Sequence, residues 1–218
     1  MRVQKALEDL AREFYRLGLI ETSPLGKGFQ LRVHRESSAN PDWPLAPARF
    51  LRSKPIAKEL AIETAASLKE LSSVDGIQFD RVAGVPHSGD PFAAALSDLC
   101  SLPPLSLEKE THAIIGEHLP KGARVLLVEN VATMGRSTIQ TATALRFDGY
   151  SVSDVCAVID WEAGAERRLD GLPYPIKLHS LFKVCELVKF YRDARYVTAA
   201  FVDRVTDFSM FLRGLPGY

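Results

Sequence analysis

Val125-Leu126-Leu127-Val128 runs into Glu129-Asn130-Val131-Ala132-Thr133-Met134-Gly135-Arg136-Ser137-Thr138, and further along comes Val155-Cys156-Ala157-Val158-Ile159. Neither apolar run alternates with polar residues, so each reads as a strand covered on both faces. Between them the spacing predicts a helix over 137–147. Strand, small-residue turn, helix and second strand form a right-handed crossover unit, the building block of a doubly wound layer. Working outward, the chain after Gly76 predicts strands at 81–86, 104–108, 123–129, 152–160 and 176–182, with helices at 91–100 and 163–170. Residues 183–213 read as two further amphipathic helices. The expected fold is α/β, a doubly wound, mostly parallel sheet flanked by helices.

Towards the N-terminus the pattern differs. Val3, Ala6, Leu7, Leu10, Ala11, Phe14 and Leu17 fall at helical spacing, with Gly18 placed to stop the helix. Phe29, Leu31 and Val33 alternate with polar residues and predict a short strand. The proline-punctuated segment 37–47 reads as a loop. A helix is expected next, with Ser53 as a candidate cap and Pro55 near its first turn, through Leu60, Ala65 and Leu68 to Leu71. Residues 1–75 are expected to form a hood on the 76–218 core, within one structural unit.

Composition narrows the function. The 218 residues suit one domain, and a chain of this length buries roughly 70% of its unfolded surface without a disulfide or metal staple. With 27 basic and 27 acidic residues the net charge is zero, which argues against a nucleic-acid partner held by bulk attraction. Cys100, Cys156 and Cys185 fit no zinc or disulfide pattern, so a reducing, cytoplasmic setting is expected. Residues 1–20 carry charges throughout and lack the apolar run of a signal peptide, and no stretch is long and apolar enough to span a membrane.

In an open parallel sheet, ligands bind beyond the carboxyl ends of the strands, so the residues leaving each apolar run matter most. After 125–128, an acid and an amide (Glu129, Asn130) precede a turn rich in hydroxyls that opens a helix. Helix N-termini receive phosphate, and an upstream carboxylate accepts hydrogen bonds from sugar hydroxyls, so this pattern suits a phosphorylated sugar. An ordinary strand–loop–helix junction capped by Ser137 is the plain alternative. After 81–84 comes Gly84-Val85-Pro86-His87-Ser88-Gly89-Asp90-Pro91, where two glycines allow close backbone approach to an anion; a turn that binds nothing is the alternative. Leu107-Glu108-Lys109-Glu110-Thr111-His112 opens a polar stretch to Gly122, read either as a mobile flap carrying Lys109 and His112 or as solvated surface.

Together these segments resemble the type I phosphoribosyltransferases, and within them the orotate branch. The run 129–137 is similar to that family's site for phosphoribosyl pyrophosphate, and 84–91 to the orotate branch's pyrophosphate loop. Lys109-Glu110 resembles its Arg-Lys-Glu strand end, and Asp160-Trp161-Glu162-Ala163-Gly164 sits where it has Asp-Arg-Glu-x-Gly. Leu178-His179-Ser180 matches its Leu-His-Ser strand, Phe29-Gln30-Leu31-Arg32 its Phe-x-Leu-Lys, and 49–55 its Arg…Pro segment. The resemblance implies a homodimeric enzyme in which orotate nitrogen attacks the anomeric carbon of magnesium-bound phosphoribosyl pyrophosphate. The products are orotidine monophosphate and pyrophosphate, a step of pyrimidine nucleotide synthesis. It implies that Glu129 holds the ribose hydroxyls, with Asn130, Val131 and Ala132 beside it. Thr133, Met134, Gly135, Arg136 and Ser137 would surround the 5-phosphate. His87, Ser88, Gly89 and Lys109 would take the pyrophosphate, with His112 on the flap.

The departures from the family pattern define the rival readings. Asn130 replaces a second acid, Met134 a hydroxyl residue, Arg136 a small residue, His112 a mobile lysine and Ile114 a histidine. Trp161 stands where the orotate-binding arginine is expected, offering a surface to stack on a base, while Arg32 or Arg49 are expected sources of the missing charge. One rival is a phosphoribosyltransferase for another base; the other is a non-catalytic member that binds nucleotides as a sensor or scaffold.

Overall fold

In chain order the elements are α1 (Arg2–Arg16), β1 (Ile20–Thr22), β2 (Ala48–Phe50), α2 (Lys58–Val74), β3 (Arg81–Gly84), α3 (Asp90–Leu99), β4 (Ser106–Leu107) and β5 (Ile114–Ile115), followed by β6 (Val125–Ala132), α4 (Arg136–Phe147), β7 (Asp154–Asp160), α5 (Ala165–Asp170), β8 (Lys177–Lys183), α6 (Val184–Asp193) and α7 (Ala199–Gly214). The structure, a computed structural model, describes residues 2–24, 27–29, 44–51, 56–103, 105–116 and 118–214. The main sheet is parallel, in the order β3-β6-β7-β8. Leu105 bridges Ala83 in parallel on the far side of β3. The chain therefore leaves β3 in one direction and returns to its other side as β6. That reversal is a switch in strand order, and it opens a crevice at the carboxyl ends of β3 and β6.

Parity along the strands divides the core. In β6, Leu126 and Val128 face one way and pack with residues of α1, α2, α3, α6 and α7, including Phe14, Leu68, Phe92, Val188 and Val205. Val125 and Leu127 face the other way, against Ala142 and Leu145 of α4 and Leu169 of α5. Alternate side chains of a strand point to opposite faces, so a run apolar at every position is what this double burial demands. Each such side chain contributes about 1.5–3 kcal/mol in transfer free energy.

The expected α/β layer is present, with differences at its edges. β6 runs on to Ala132, so Glu129 and Asn130 lie inside the strand. The cap of α4 is Gly135, in the left-handed region at φ 73°, and Ser137 sits within the first turn instead. The expected strand at 104–108 is only two residues long, and it pairs antiparallel with β5, which the sequence pattern did not predict. The supposed flap after Lys109 is thus the tip of a hairpin, closed by bonds from the Glu108 N–H to the Ala113 carbonyl and from the His112 N–H to the Glu108 carbonyl. β1 and β2, also unpredicted, pair antiparallel, Ile20 opposite Phe50. α2 begins at Lys58 with Ala57 as its cap. Ser53, Pro55, Leu31, Val33 and the side chain of Val3 lie outside the described residues; Phe29 bridges Ala46. No helix among the described residues is long and apolar enough to cross a membrane.

Candidate functional site

The crevice is built from the ends of β3 and β6. Loop 85–89 is pressed onto β6: the Val85 N–H donates to the Val128 carbonyl at 2.8 Å and the Gly89 N–H to the Val85 carbonyl at 3.0 Å. A side chain at Gly89 would place its Cβ 1.9 Å from the Val128 oxygen, so only glycine fits. His87 and Ser88 remain exposed on the loop, with His87 Nδ1 2.9 Å from a carboxylate oxygen of Asp90.

On β6, Glu129 is buried and its carboxylate accepts a hydrogen bond from the Thr138 hydroxyl in the first turn of α4. The strand and the helix N-terminus thereby hold one acid between them, with the turn 133–135 in between. Gly135 lies against Ala165 and Leu169 of α5. From the same helix, Arg168 directs a guanidinium N–H towards the Met134 carbonyl at 3.4 Å. Burial, and the charges of Arg167 and Arg136, pull the Arg168 guanidinium below its usual value. An exposed Arg136, a part-buried Arg168 and the amides opening a 12-residue helix make the turn positive, a setting for an anion.

Several expected site residues are placed differently. Met134 is buried within the main core cluster, so its side chain leaves the turn instead of filling it. Asn130 is buried, its amide donating to the Leu51 carbonyl at 3.3 Å and its oxygen accepting the Val131 N–H at 2.7 Å. It ties the hood to the sheet, a role no local sequence signal reveals. Ala132 is wholly buried among Ala157 and Ala165, while Val131 and Thr133 are half-buried. Trp161 is 1% exposed, edge-on to Phe50 at 5.2 Å and Phe208 at 5.6 Å. It is a core side chain and presents no face for stacking on a base. Arg49 lies over the Phe29 ring at 4.3 Å, and Arg32 lies outside the described residues.

Lys109 and His112 are not gathered around the turn. They line a groove of about 910 Å³ whose other walls include Pro86, Ile139, Thr143 and Phe147. His112 Nδ1 is 2.7 Å from the Thr141 hydroxyl, which seats the hairpin tip on α4.

At the end of β7, where the sequence marked 160–164, the structure adds a cavity that the sequence pattern did not predict. The Trp161 N–H donates to the Ala132 carbonyl at 2.8 Å, so this strand end adjoins the turn. Here Asp160, Glu162, Glu166, Lys183 and Arg213 line a cavity of about 280 Å³. Burial pushes the Asp160 carboxyl up to about 6, while the Glu162 N–H donating to it at 2.7 Å pulls it down. Glu162 in turn accepts the Cys185 N–H at 2.9 Å.

No family model matches the chain. The orotate phosphoribosyltransferase of Caenorhabditis elegans is 36% identical over 127 residues, 56% of this chain and 54% of that protein. The chain thus spans about half the length of this relative. The orotate phosphoribosyltransferase of Methanospirillum hungatei is 36% identical over 137 residues, 59% of this chain and 77% of that protein. Among solved structures, Leishmania donovani UMP synthase superposes with a TM-score of 0.74 at 22% identity, covering 94% of this chain and 42% of that one. That likeness concerns the fold.

Proposed function

The chain belongs to the orotate phosphoribosyltransferase family, and on that footing we propose that it transfers the 5-phosphoribosyl group from phosphoribosyl pyrophosphate to orotate, forming orotidine monophosphate and pyrophosphate. The observation that carries this reading is the Glu129–Thr138 pair, which sets a buried carboxylate beside a helix-opening turn at the sheet's switch point. The 5-phosphate would sit on the amides at the start of α4, with Arg136 and Arg168 supplying positive field. Glu129 would accept hydrogen bonds from the ribose hydroxyls and stabilise the charge that develops on the ring as the anomeric bond loosens. Loop 85–89 would receive the pyrophosphate through its backbone and His87. Catalysis in this arrangement is chiefly positioning and electrostatics.

The same reading includes magnesium, a homodimer and a cytoplasmic setting. Among the described residues no three His, Cys, Asp or Glu side chains cluster to cage a metal. A donor set of one buried carboxylate fits a magnesium ion carried mainly on substrate oxygens, with Glu129 reaching it through the ribose hydroxyls. The ion would supply charge neutralisation to the departing pyrophosphate. Three unpaired cysteines accord with a reducing compartment.

The test is loss of orotate absorbance on mixing protein, orotate, phosphoribosyl pyrophosphate and magnesium, with Glu129→Gln alongside. The expected result is turnover by the wild type and a fall of about 10- to 100-fold in kcat/KM for the variant, the worth of a charge-assisted hydrogen bond. Tight nucleotide binding without turnover would instead identify a sensor or scaffold.

A further inference from the structure

We propose that Arg213, on the last helix, is the residue that recognises the carboxylate of the acceptor base, in the cavity at the carboxyl ends of β7 and β8. The inference rests on the reading of the preceding subsection and deepens it. Orotate is a flat ring with N–H donors on one side and a carboxylate on another, so its pocket needs acceptors and a cation together. The cavity at the end of β7 has the mixed character: Asp160, Glu162 and Glu166 offer carboxylates, and Arg167, Lys183 and Arg213 cations. Its volume, about 280 Å³, leaves room for a six-membered ring with its substituent. It also lies next to the turn, since β7 continues from Asp160 into the Trp161 amide bonded to Ala132, the residue before Thr133.

Arg213 is singled out by how it is held. Its Nε donates to the Glu162 carbonyl, and its Nη2 lies 3.3 Å from a Glu162 carboxylate oxygen. Glu162 is itself fixed, by the Cys185 N–H on its other carboxylate oxygen and by the Ser209 hydroxyl on its carbonyl. The guanidinium is therefore pre-aimed while still about half exposed, at 49% of its side-chain surface. A planar, anchored fork pairs with a carboxylate through two parallel hydrogen bonds, which Lys183, a point charge on a flexible stem, does not. Position 161 supplies no such group, because its indole is enclosed by Phe50 and Phe208.

The experiment is steady-state kinetics of Arg213→Ala and Arg213→Lys with orotate and with uracil, which lacks the carboxylate. Expected for Arg213→Ala is a rise of about 10-fold or more in KM for orotate, an unchanged KM for phosphoribosyl pyrophosphate, and loss of the preference for orotate over uracil. Arg213→Lys, which keeps the charge without the fork, should recover part of that preference and serves if the alanine variant fails to fold. An orotate KM equal to the wild type's, or a parallel rise in both KM values, overturns the inference. A wild type that does not turn over orotate overturns the underlying reading itself, so the two failures are distinct.

Discussion

At position 130 the side chain has to donate. Its amide reaches the Leu51 carbonyl, 79 positions away in sequence, while its oxygen takes the neighbouring N–H. An aspartate accepts the second bond but sets a negative oxygen against the Leu51 carbonyl in a site only 6% exposed. Asn130→Asp should therefore cost about 1–3 kcal/mol, the penalty of an unmet buried polar group. At roughly 2–4 °C per kcal/mol for a chain of this size, the melting temperature should fall by about 2–12 °C in scanning calorimetry. An unchanged midpoint would refute the tether. The same position shows why parts of the site were not legible. Glu129 and Thr138 stand nine residues apart across one turn, and the sequence pattern places them at one strand end. Asn130 and Trp161 sit in motifs of the same resemblance, but their side chains are claimed by partners from the hood and the last helix, Leu51, Phe50 and Phe208, while Met134 enters the main core cluster. Long-range packing decided their direction, and no local spacing encodes it.

Among the elements, periodicity predicted every strand of the main sheet and the helices between them, because double burial leaves an unbroken apolar run. The hairpin of β4 and β5 escaped, since two-residue strands leave no pattern to read. Its consequence is functional: Lys109 and His112 are carried at the tip of a closed hairpin seated on α4 through Thr141. Loop 85–89 is a different case: its glycines read as room for an anion, and what the structure shows at Gly89 is a close approach to the β6 backbone. Gly89→Ala forces its new methyl against the Val128 oxygen, so the loop must shift. Overpacking of this kind costs about 1–3 kcal/mol, and a displacement near 1 Å at a substrate loop costs about 100-fold in activity. Gly76→Ala is the control. Gly76 lies at φ 66° with nothing within 4 Å of the new methyl, on the edge of the sheet where the strands begin. It should lose about 1–2 kcal/mol of stability from the left-handed backbone alone and keep its activity. Urea titration and turnover measured on both variants separate the two effects; equal activity in the two would show that the loop does not position substrate.

For the whole molecule the issue is whether the hood is a separate body. Leu10, Phe14, Leu19, Phe50 and Leu51 from the first 75 residues share one buried cluster with Leu126, Val128 and Val158 of the sheet and with Val188 and Val205 of the last two helices. Polar ties cross the same boundary. The Tyr191 hydroxyl donates to the Ala11 carbonyl at 2.9 Å, the Tyr15 hydroxyl to the Tyr196 carbonyl at 2.7 Å, and Arg204 to the Ser23 carbonyl at 2.9 Å. Below the sheet, His179 of β8 stands between Asp75, at the end of α2, and Asp154 of β7, one carboxylate at each ring nitrogen. Chain ends that close over one core should unfold with it, as single cooperative units do. Phe14 is fully buried and edge-on to Phe182 at 6.0 Å, so Phe14→Ala removes a large side chain from the seam between hood and sheet. The expected loss is about 3–5 kcal/mol. It should appear as one displaced transition, with circular dichroism and amide exchange in β6 and β7 shifting together although neither strand contains the substitution. If α1 instead melts first, with the exchange of β6 and β7 unchanged, hood and sheet are separable bodies. Asn130 and Trp161 would then join two domains, not two parts of one core.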